Sequence, residues 1–277
     1  MKFTKMQGAG NDFIVINNMI EQIPEDRWSE LARTLCRRRL SLGADGLMIV
    51  EKARQGGDFR MVFYNSDGSV GEMCGNGARC ISRYGYEYGL SDENVCVETK
   101  AGNVYGRRLS ETEYEVRLND PTVAEAHRIV EIDGCSYDCG YMELGCPGIP
   151  HAVLELEDWD QWSRERLFAL GRALRSADTF PKGANVTFYR KLEEERFAVR
   201  TFERGVEDFT LACGTGCGST ASVLMMRGLS SGRNVRLETD GGTLTVSLSV
   251  TEGVIHDLLL RGPTCIVAEG EIKEVWQ

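Results

Sequence analysis

The chain has 277 residues, of which 42% are hydrophobic and 27% are charged, and its formal net charge is -10 at a pI of about 5.0. This composition is typical of a globular protein with one large or two average domains, and the acidic balance without a basic stripe argues against nucleic-acid binding. The N-terminal apolar run, residues 13–16, is too short for a signal peptide or a membrane span. We therefore expect a cytoplasmic protein that binds no membrane.

The first half of the chain predicts a series of alternating strands and helices. It contains an extended segment at 12–17, an amphipathic helix with Trp28, Leu31 and Leu35 on one face, and an alternating strand at 59–64. A loop then leads to Cys-Gly-x-Gly at 74–77 and to another helix. A strand pair, "NVCVETK" (94–100) with "TEYEVRL" (112–118), is predicted to close this half.

The second half predicts the same elements in the same order. They are an extended segment at 151–156, a helix with Trp162, Leu167, Leu170 and Leu174, a strand at 196–202, Cys-Gly-x-Gly at 213–216 with a helix, and the strand pair 234–240 with 243–250. The helix from Gly214 to Met226 carries no charged residue, which is typical of a helix buried on all sides.

Internal matches at one nearly constant offset indicate a duplicated half. Cys74 and Cys213 are 139 residues apart, and "NVCVETKAG" (94–102) aligns with "NVRLETDGG" (234–242). We predict an α/β (α+β) protein of two pseudo-symmetric domains, each a mixed, largely antiparallel sheet wrapped around a central helix. The predicted domains are residues 1–117 with Cys74, joined by the C-terminal segment 265–277, and residues 118–264 with Cys213.

The two cysteines suggest acid/base chemistry. A helix N-terminus lowers the pKa of a thiol, and its N–H groups bind anions such as carboxylates. Two such termini facing each other across a domain interface would place a thiol on each side of a bound amino acid. Racemisation at an α-carbon needs this arrangement, because one face loses a proton while the opposite face gains one, and no cofactor is required.

Other interpretations of the cysteines remain open from the residues alone. A single Cys-Gly-x-Gly is more often a structural thiol at a helix cap. A redox pair needs a resolving thiol nearby, but Cys80 and Cys217 lie inside the predicted helices. The run Cys135, Cys139 and Cys146 does not complete the paired spacing of a zinc site. We therefore expect no metal.

Motifs along nearly the whole chain resemble those of the diaminopimelate epimerase family. They are "GAGNDF" (8–13), "GADG" (43–46), "NSDGS" (65–69), "MCGNGAR" (73–79), "NVTF" (185–188) and "ERGVEDFTLACGTG" (203–216). The resemblance implies cofactor-independent epimerisation of LL- to meso-diaminopimelate in lysine and cell-wall precursor biosynthesis, the fold of that family, a small amino-acid substrate and a homodimer. The related proline racemases share the cysteine plan but differ in the flanking residues.

The same resemblance implies a role for each matching residue. Cys74 and Cys213 would be the two acid/base residues, and His151 and Glu203 would tune their pKa values. The substrate-binding residues would be Asn11 at the reacting centre, the backbone N–H groups of Gly75, Asn76, Gly214 and Thr215 at the reacting carboxylate, and Asn65, Asn185, Glu203 and Arg204 at the distal amino-acid end.

One position departs from the family pattern. Many members read Gly-Asn-Pro-His where this chain has Gly148, Ile149, Pro150 and His151, and an isoleucine cannot bind the distal carboxylate as an asparagine does. Ile149 therefore keeps open a two-cysteine racemase of another amino acid, such as histidine. The ten cysteines keep a third interpretation open, a thiol redox or metal-binding protein.

Overall fold

The computed structural model describes residues 1–71 and 74–274. Two parts of the chain lie outside the described residues. They are Glu72 and Met73, directly before Cys74, and residues 275–277 of the predicted C-terminal segment. The described chain forms two compact units, one of residues 1–116 with the segment from Gly262, the other of residues 117–261. The sequence-based prediction placed these boundaries after residues 117 and 264.

The first unit opens with a hairpin and continues through three helices. Its elements are β1 (Lys2–Gly8), β2 (Asn11–Asn17), α1 (Asn18–Glu21), α2 (Trp28–Leu35), β3 (Gly46–Lys52), β4 (Phe59–Asn65), α3 (Gly75–Glu87), β5 (Asn94–Thr99), β6 (Gly102–Arg108) and β7 (Glu113–Arg117).

The second unit follows the same plan with longer strands at its two ends. Its elements are β8 (Pro121–Ile132), β9 (Cys135–Leu144), β10 (Ile149–Glu155), α4 (Arg164–Arg175), β11 (Asn185–Glu193), β12 (Arg196–Glu203), β13 (Asp208–Thr210), α5 (Gly214–Met226), β14 (Val235–Thr239), β15 (Gly242–Thr251) and β16 (Val254–Pro263). The last strand, β17 (Cys265–Glu271), belongs to the first unit and pairs with its strand β1.

The strand pairing of the two units is the same at every step. In the first unit the order β17, β1, β2, β3, β4, β5, β6, β7 has parallel pairs at β2–β3 and β4–β5 and antiparallel pairs elsewhere. In the second, the order β8, β9, β10, β11, β12, β14, β15, β16 has parallel pairs at β10–β11 and β12–β14. Two mixed, largely antiparallel sheets of equal topology confirm the predicted duplication.

Equivalent positions agree to within a residue or two along the two strand sets. Phe13 lies opposite Gly46 on β2 and β3, and His151 lies opposite Asn185 on β10 and β11. The hairpin after β5 closes with a bond from Thr99 Oγ1 to the Gly102 carbonyl oxygen at 2.6 Å. Thr239 Oγ1 makes the same 2.6 Å bond to the Gly242 carbonyl oxygen after β14. The repeat therefore extends to individual turns.

The predicted pairing of 94–100 with 112–118 is wrong. β5 pairs with β6, and β6 then pairs with β7, so a strand that the sequence reading skipped lies between the predicted partners. The segment 102–108 carries Gly102, Gly106 and two arginines, and only Gly106 within it is buried, which hides its strand pattern. Gly106 is small for a packing reason, because a Cβ there would lie 2.1 Å from Ser82 Oγ on α3.

A central helix packs against the sheet of each unit. α3 contacts β1, β2, β5 and β6, and it is buried from Gly75 to Gly85. α5 contacts strands β8 to β11 and β15, and its apolar sequence is buried on almost every side, as its lack of charge predicted. Gly140 on β9 allows the close approach, since a Cβ there would lie 2.5 Å from both methyl groups of Val223.

A more peripheral helix covers the outer face of each sheet. The predicted apolar face of α2, with Trp28, Leu31 and Leu35, is buried in a core with strands β2 to β4. α4 buries Leu167, Leu170 and Leu174, but it begins at Arg164 with Ser163 as its N-cap, so Trp162 precedes the helix in which it was predicted. No helix in the described part of the chain is long and apolar enough to cross a bilayer.

Candidate active site

Cys74 caps the N-terminus of α3. Its backbone is extended (φ −97°, ψ 155°), and its Sγ accepts a hydrogen bond from the N–H of Gly77 at 3.2 Å. Serine, threonine or aspartate usually fills this capping role, and the first N–H groups of a helix have no partner within it. The cap therefore places a sulfur atom among N–H groups that favour an anion.

The Cys74 thiol donates to the side chain of Asn11 at the start of β2, with Sγ 3.4 Å from Oδ1. The amide nitrogen of Asn11 donates in turn to Asp45 Oδ2 at 2.6 Å. Asn11 thus lies beside Cys74, and its predicted contact with substrate stays a prediction. Asp45, which the sequence analysis quoted within "GADG" but gave no role, is the residue that fixes its amide.

A buried arginine, Arg79, binds Gly75 and Asn76 at the start of α3. Arg79 is 0% exposed, and its guanidinium donates to Asn76 Oδ1 at 2.9 Å and to the Gly75 carbonyl oxygen at 3.3 Å. Arg79 thus binds oxygen atoms of the first turn of α3 and does not occupy the backbone N–H groups of that turn. This role of Arg79 was not predicted, although an arginine within the glycine-rich start of a helix is a signal that could have indicated it.

Asn65 ends β4 and closes the loop that follows it. Its Nδ2 donates to Ser69 Oγ at 2.9 Å, and its backbone N–H donates to the Ser69 carbonyl oxygen at the same distance. Asp67 Oδ1 accepts from the backbone N–H of Ser69 at 2.8 Å and fixes the turn. The structure thus shows a turn-forming role for Asn65, and its predicted contact with substrate stays a prediction.

Cys213 caps α5 in the same way as Cys74 caps α3. Its Sγ accepts from the N–H of Gly216 at 3.4 Å and lies 3.5 Å from Thr215 Oγ1. A Cβ on Gly216 would lie 3.2 Å from Cys213 Cβ and 2.9 Å from Thr201 Oγ1, so glycine is needed for the tight first turn. Gly214 and Thr215 therefore begin the helix directly beside the sulfur.

The N–H group at the helix start lowers the pKa of the Cys213 thiol as expected, but burial outweighs this contribution. Burial, followed by the charge of Glu203, raises the pKa of Cys213 well above its usual range, and the hydrogen bonds from Thr215 and Gly216 offset only part of this. Loss of hydration destabilises the thiolate by more than the two hydrogen bonds stabilise it. Cys213 is accordingly a protonated thiol in the ligand-free protein.

The other predicted residues of the second unit form one connected group. Asn185 is buried, its Oδ1 accepts from the backbone N–H of Arg204 at 2.8 Å, and its Nδ2 faces His151 Nε2 at 3.4 Å. Arg204 Nη1 donates to the carbonyl oxygen of Lys182 at 2.7 Å, and Glu203 Oε1 accepts from Thr210 Oγ1 at 2.6 Å. The fold therefore brings together residues that are distant in sequence, and the charge of one of them, Glu203, acts on Cys213.

An ion pair between the buried Glu143 and the exposed Lys182 lies next to this group and was not anticipated from the sequence. Glu143 on β9 accepts from Tyr141 at 2.7 Å and from Lys182 Nζ at 2.9 Å, and these two bonds lower its pKa. A Cβ on Gly148 would lie 2.7 Å from Glu143 Oε2, so the pair sits beside the turn that leads to Ile149. Lys182 is thereby tied to both Arg204 and Glu143.

His151 is fully buried and neutral. Burial, with a smaller contribution from the charge of Arg204, lowers its pKa to about 3. The Asn185 amide can only donate from Nδ2, so His151 Nε2 accepts and the proton is on Nδ1. Within the described part of the chain Nδ1 has no hydrogen-bond partner. His151 therefore acts on its surroundings as a neutral dipole and not as a charge.

The depressed pKa of His151 makes acid pH destabilising. The unfolded chain binds a proton near pH 6.5 but the folded protein does so only near pH 3, so stability falls as the pH drops below 6.5. At pH 5 this difference amounts to about 2 kcal/mol. Between pH 7 and pH 5 the free energy of unfolding of His151→Gln should fall by about 2 kcal/mol less than that of the wild type. Urea unfolding at the two pH values measures this difference. Equal losses in the two proteins would contradict a neutral buried His151.

Titratable side chains elsewhere do not form a metal centre in the described ranges. No group of three or more His, Cys, Asp or Glu side chains within residues 1–71 and 74–274 is arranged to hold a metal ion. The ten cysteines are all free thiols, and besides Cys213 four of them are buried: Cys36, Cys80, Cys139 and Cys217. Burial raises the pKa of Cys36, Cys80 and Cys139 to about 12, so these three are unreactive.

Comparison with known proteins agrees with these features. The family model described as diaminopimelate epimerase matches residues 3–121 and 146–258, a span that contains both helix-capping cysteines. The chain belongs to the diaminopimelate epimerase family. The resemblance inferred from the sequence motifs is thereby confirmed.

Named relatives match over almost their whole length. The diaminopimelate epimerase of Aquifex aeolicus (strain VF5) is 37% identical over 99% of this chain and 98% of that protein. The diaminopimelate epimerase of Methanocaldococcus jannaschii is 36% identical over 90% of this chain and 92% of that protein.

Solved structures of lower identity share the fold. A probable proline racemase from Agrobacterium radiobacter K84 superposes with a TM-score of 0.71 at 15% identity, covering 98% of this chain and 92% of that one. A Bacillus anthracis phenazine biosynthesis protein of the PhzF family also gives a TM-score of 0.71 at 15% identity, covering 98% of both chains. These matches confirm the predicted fold class of this diaminopimelate epimerase family member.

Proposed function

We propose that the protein is an isomerase that epimerises LL-diaminopimelate to meso-diaminopimelate, with Cys74 and Cys213 as its two acid/base residues. The observation that carries this proposal is the presence of two cysteines at equivalent N-caps of two equivalent helices, each with its Sγ bound to the N–H three residues on. Family membership and the names of the relatives support the substrate. The product would serve lysine and cell-wall precursor synthesis.

Each cysteine has a defined part in the reaction. One, as thiolate, removes the α-proton, and the electron pair of the broken C–H bond moves into the adjacent carboxylate. The other, as thiol, delivers its proton to the opposite face of the same carbon, so the two cysteines end with exchanged protonation states. Either direction of reaction uses both residues, because the base of one direction is the acid of the other.

The helix starts supply the electrostatic part of catalysis. The α-proton is a very weak acid, so the carboxylate must be stabilised while it becomes enolate-like. Preorganised N–H donors in a site shielded from water provide such stabilisation. We assign this role to the backbone N–H groups of Gly75, Asn76, Gly214 and Thr215, with Asn11 lining the reacting centre. This chemistry needs no cofactor.

The distal end of the substrate carries a second carboxylate and a second ammonium group. Arg204 suits the carboxylate, since a guanidinium fork matches its two oxygens, and Glu203 suits the ammonium. Asn65 and Asn185 complete the predicted set. The anchoring of Arg204 on the Lys182 carbonyl oxygen at 2.7 Å supports this assignment, because it holds the guanidinium in one place.

Turnover in deuterated water tests the proposal. Purified protein is incubated with LL-diaminopimelate without added cofactor, and the products are separated by chiral chromatography and analysed by mass spectrometry. We expect meso-diaminopimelate that carries one deuterium at the inverted α-carbon, because the delivered proton comes from a thiol that exchanges with solvent. Absence of both meso product and deuterium incorporation would refute the function.

Ile149 favours one alternative, a two-cysteine racemase of another amino acid. The residue opens β10 opposite Leu144 and offers no polar group. If diaminopimelate is the substrate, Ile149→Asn should add an amide at the distal carboxylate and lower the KM several-fold. This change corresponds to the net contribution of one hydrogen bond, about 1 kcal/mol. A substrate panel that includes histidine accompanies the measurement. Preference for another amino acid, with no gain from Ile149→Asn, would favour the alternative.

The same proposal includes the setting of the enzyme. We propose a homodimer in the cytoplasm, where free thiols such as the ten of this chain stay reduced. Sedimentation of the reduced protein tests the dimer directly, and a monomer at all concentrations would remove that part of the proposal.

A further inference from the structure

A carboxylate beyond the predicted site residues determines which end of the Asn11 amide faces Cys74. Asp45 lies immediately before β3, and Asp12 follows Asn11 at the start of β2. Because these two strands are parallel with Phe13 opposite Gly46, their first residues lie side by side. Asp45 Oδ2 accepts from Asn11 Nδ2 at 2.6 Å and from the backbone N–H of Asp12 at 3.1 Å.

A carboxylate only accepts hydrogen bonds, whereas a carboxamide has a donating and an accepting end. The end of Asn11 that faces Asp45 must therefore be its NH₂ group, and the end that faces Cys74 must be its oxygen. Arg38 Nη2 lies 2.9 Å from the other oxygen of Asp45 and supplies a compensating charge. The contact of 3.4 Å between Cys74 Sγ and Asn11 Oδ1 is accordingly a thiol donating to an oxygen.

The direction of this bond matters for the state of the cysteine. An oxygen acceptor stabilises the S–H form and repels a thiolate, while the Gly77 N–H on the same sulfur favours the thiolate. Cys74 is only partly buried, and a partly exposed thiol at a helix N-terminus is ordinarily reactive toward oxidants and electrophiles. An opposing influence is needed to keep such a thiol protonated.

We propose that Asp45 is a positioning residue: by taking the NH₂ group of Asn11 it turns the amide oxygen toward Cys74 and keeps that cysteine a protonated thiol until substrate arrives. Burial does the same for Cys213 in the other unit. The catalytic meaning of this inference rests on the proposed function, but the arrangement itself concerns only the first unit. Both thiols are then protonated in the ligand-free enzyme, and one of them releases its proton to solvent as substrate binds, which generates the thiolate that removes the α-proton.

Other charged and titratable groups surround this chain of bonds. They are Lys5 on β1, Asp12 on β2, Arg38 in the segment before β3, and Arg79 and Cys80 on α3. Lys5 and Arg38 both bind Asp12, and although burial by itself raises the pKa of Asp12, these bonds lower it. Because these five residues are the same in every position-45 variant, differences between the variants originate at residue 45, including any shift of Arg38 or Asp12, which contact it.

Two substitutions at position 45 separate the hydrogen bond from the charge. Asp45→Ala removes both the acceptor and the negative charge. Asp45→Asn removes the charge but keeps an acceptor, because its amide oxygen is favoured where two N–H donors converge, and the opposing Arg38 is 60% exposed and can move away. Asp45 is itself 44% exposed, so neither change disturbs a packed core.

The experiment measures alkylation of Cys74 by iodoacetamide in the full-length, ligand-free, reduced protein from pH 6 to pH 9, with the modified peptide quantified by mass spectrometry. We expect Asp45→Ala to raise the rate at pH 7 about three- to tenfold, since a pKa lower by up to one unit gives up to ten times more thiolate. Asp45→Asn should remain close to wild type. Equal acceleration in both variants would mean that charge alone acts, and no acceleration in Asp45→Ala would also overturn the proposal.

A variant of Asn11 tests whether Asp45 acts on Cys74 through the Asn11 amide. Asn11→Ala should accelerate alkylation of Cys74 as Asp45→Ala does, and adding Asp45→Ala to it should change nothing further. A further increase in the double variant would show that Asp45 acts without Asn11 and would overturn the inference; so would an unchanged rate in Asn11→Ala. Alkylation requires no turnover, so these outcomes stand whether or not the protein proves to be an epimerase.

Discussion

Replacing either Cys74 or Cys213 with serine is expected to lower the rate of diaminopimelate epimerisation roughly 10³-fold in both directions. Serine is a favoured N-cap residue, so it keeps the hydrogen bond to the N–H of Gly77 or Gly216 and preserves the helix start. Its hydroxyl, however, is far too weak an acid to serve as the thiol does. Initial rates from LL- and from meso-diaminopimelate measure the effect.

Exposed cysteines in the same units provide the matched controls. Cys265→Ser in the first unit and Cys135→Ser in the second change a thiol that lies at the surface, and both variants should keep the wild-type rate. A Cys74→Ser or Cys213→Ser variant that retained a rate close to wild type in either direction would contradict the two-base mechanism. Circular dichroism checks that each variant is folded.

Replacing Arg204 with alanine is expected to raise the KM for diaminopimelate roughly 30-fold, which corresponds to about 2 kcal/mol for a hydrogen-bonded charged pair. The guanidinium is anchored on the Lys182 carbonyl oxygen, so its loss removes a preorganised partner of the distal carboxylate. The value of kcat should fall less, because Arg204 does not touch the reacting carbon. Steady-state kinetics separate the two effects.

Two further variants sharpen this measurement. Arg200→Ala removes an arginine of β12, the strand that ends directly before Arg204; Arg200 pairs with Asp240 instead, and its loss should leave the KM unchanged. Arg204→Lys should recover only part of the affinity, because an ammonium group cannot match both carboxylate oxygens. A KM that stays at the wild-type value in Arg204→Ala would remove this residue from the substrate site.

Much of the architecture follows from local sequence patterns. The charge-free run from Gly214 to Met226 predicted α5 with its correct ends, and the apolar spacing of Trp28, Leu31 and Leu35 predicted the buried face of α2. The constant offset between repeated motifs predicted two units of equal topology. These features are local or internally repeated, and hydrophobic periodicity is the strongest signal that a sequence carries.

The order of the strands in the sheet was harder to predict from the sequence. The segment that forms β6, residues 102–108, has little of the alternating hydrophobic pattern of a strand, because its glycines and arginines are set by contacts with α3 and with solvent. It was therefore skipped, and β5 was paired with β7. Strand partners depend on side chains from distant segments, which no local pattern describes.

Glycine spacing, apolar runs and internal repeats were enough to predict that the two cysteines begin two repeated helices, because these patterns are local or repeated within the chain. The protonation state of the two thiols could not be predicted in this way, because it depends on the folded surroundings. Burial together with Glu203 raises the pKa of Cys213, against the expected effect of the helix start. Asp45 turns Asn11 toward Cys74, and Arg79 holds the first turn of α3. A pKa and the orientation of an amide depend on desolvation and on hydrogen bonds with residues distant in sequence, and these exist only once the chain has folded.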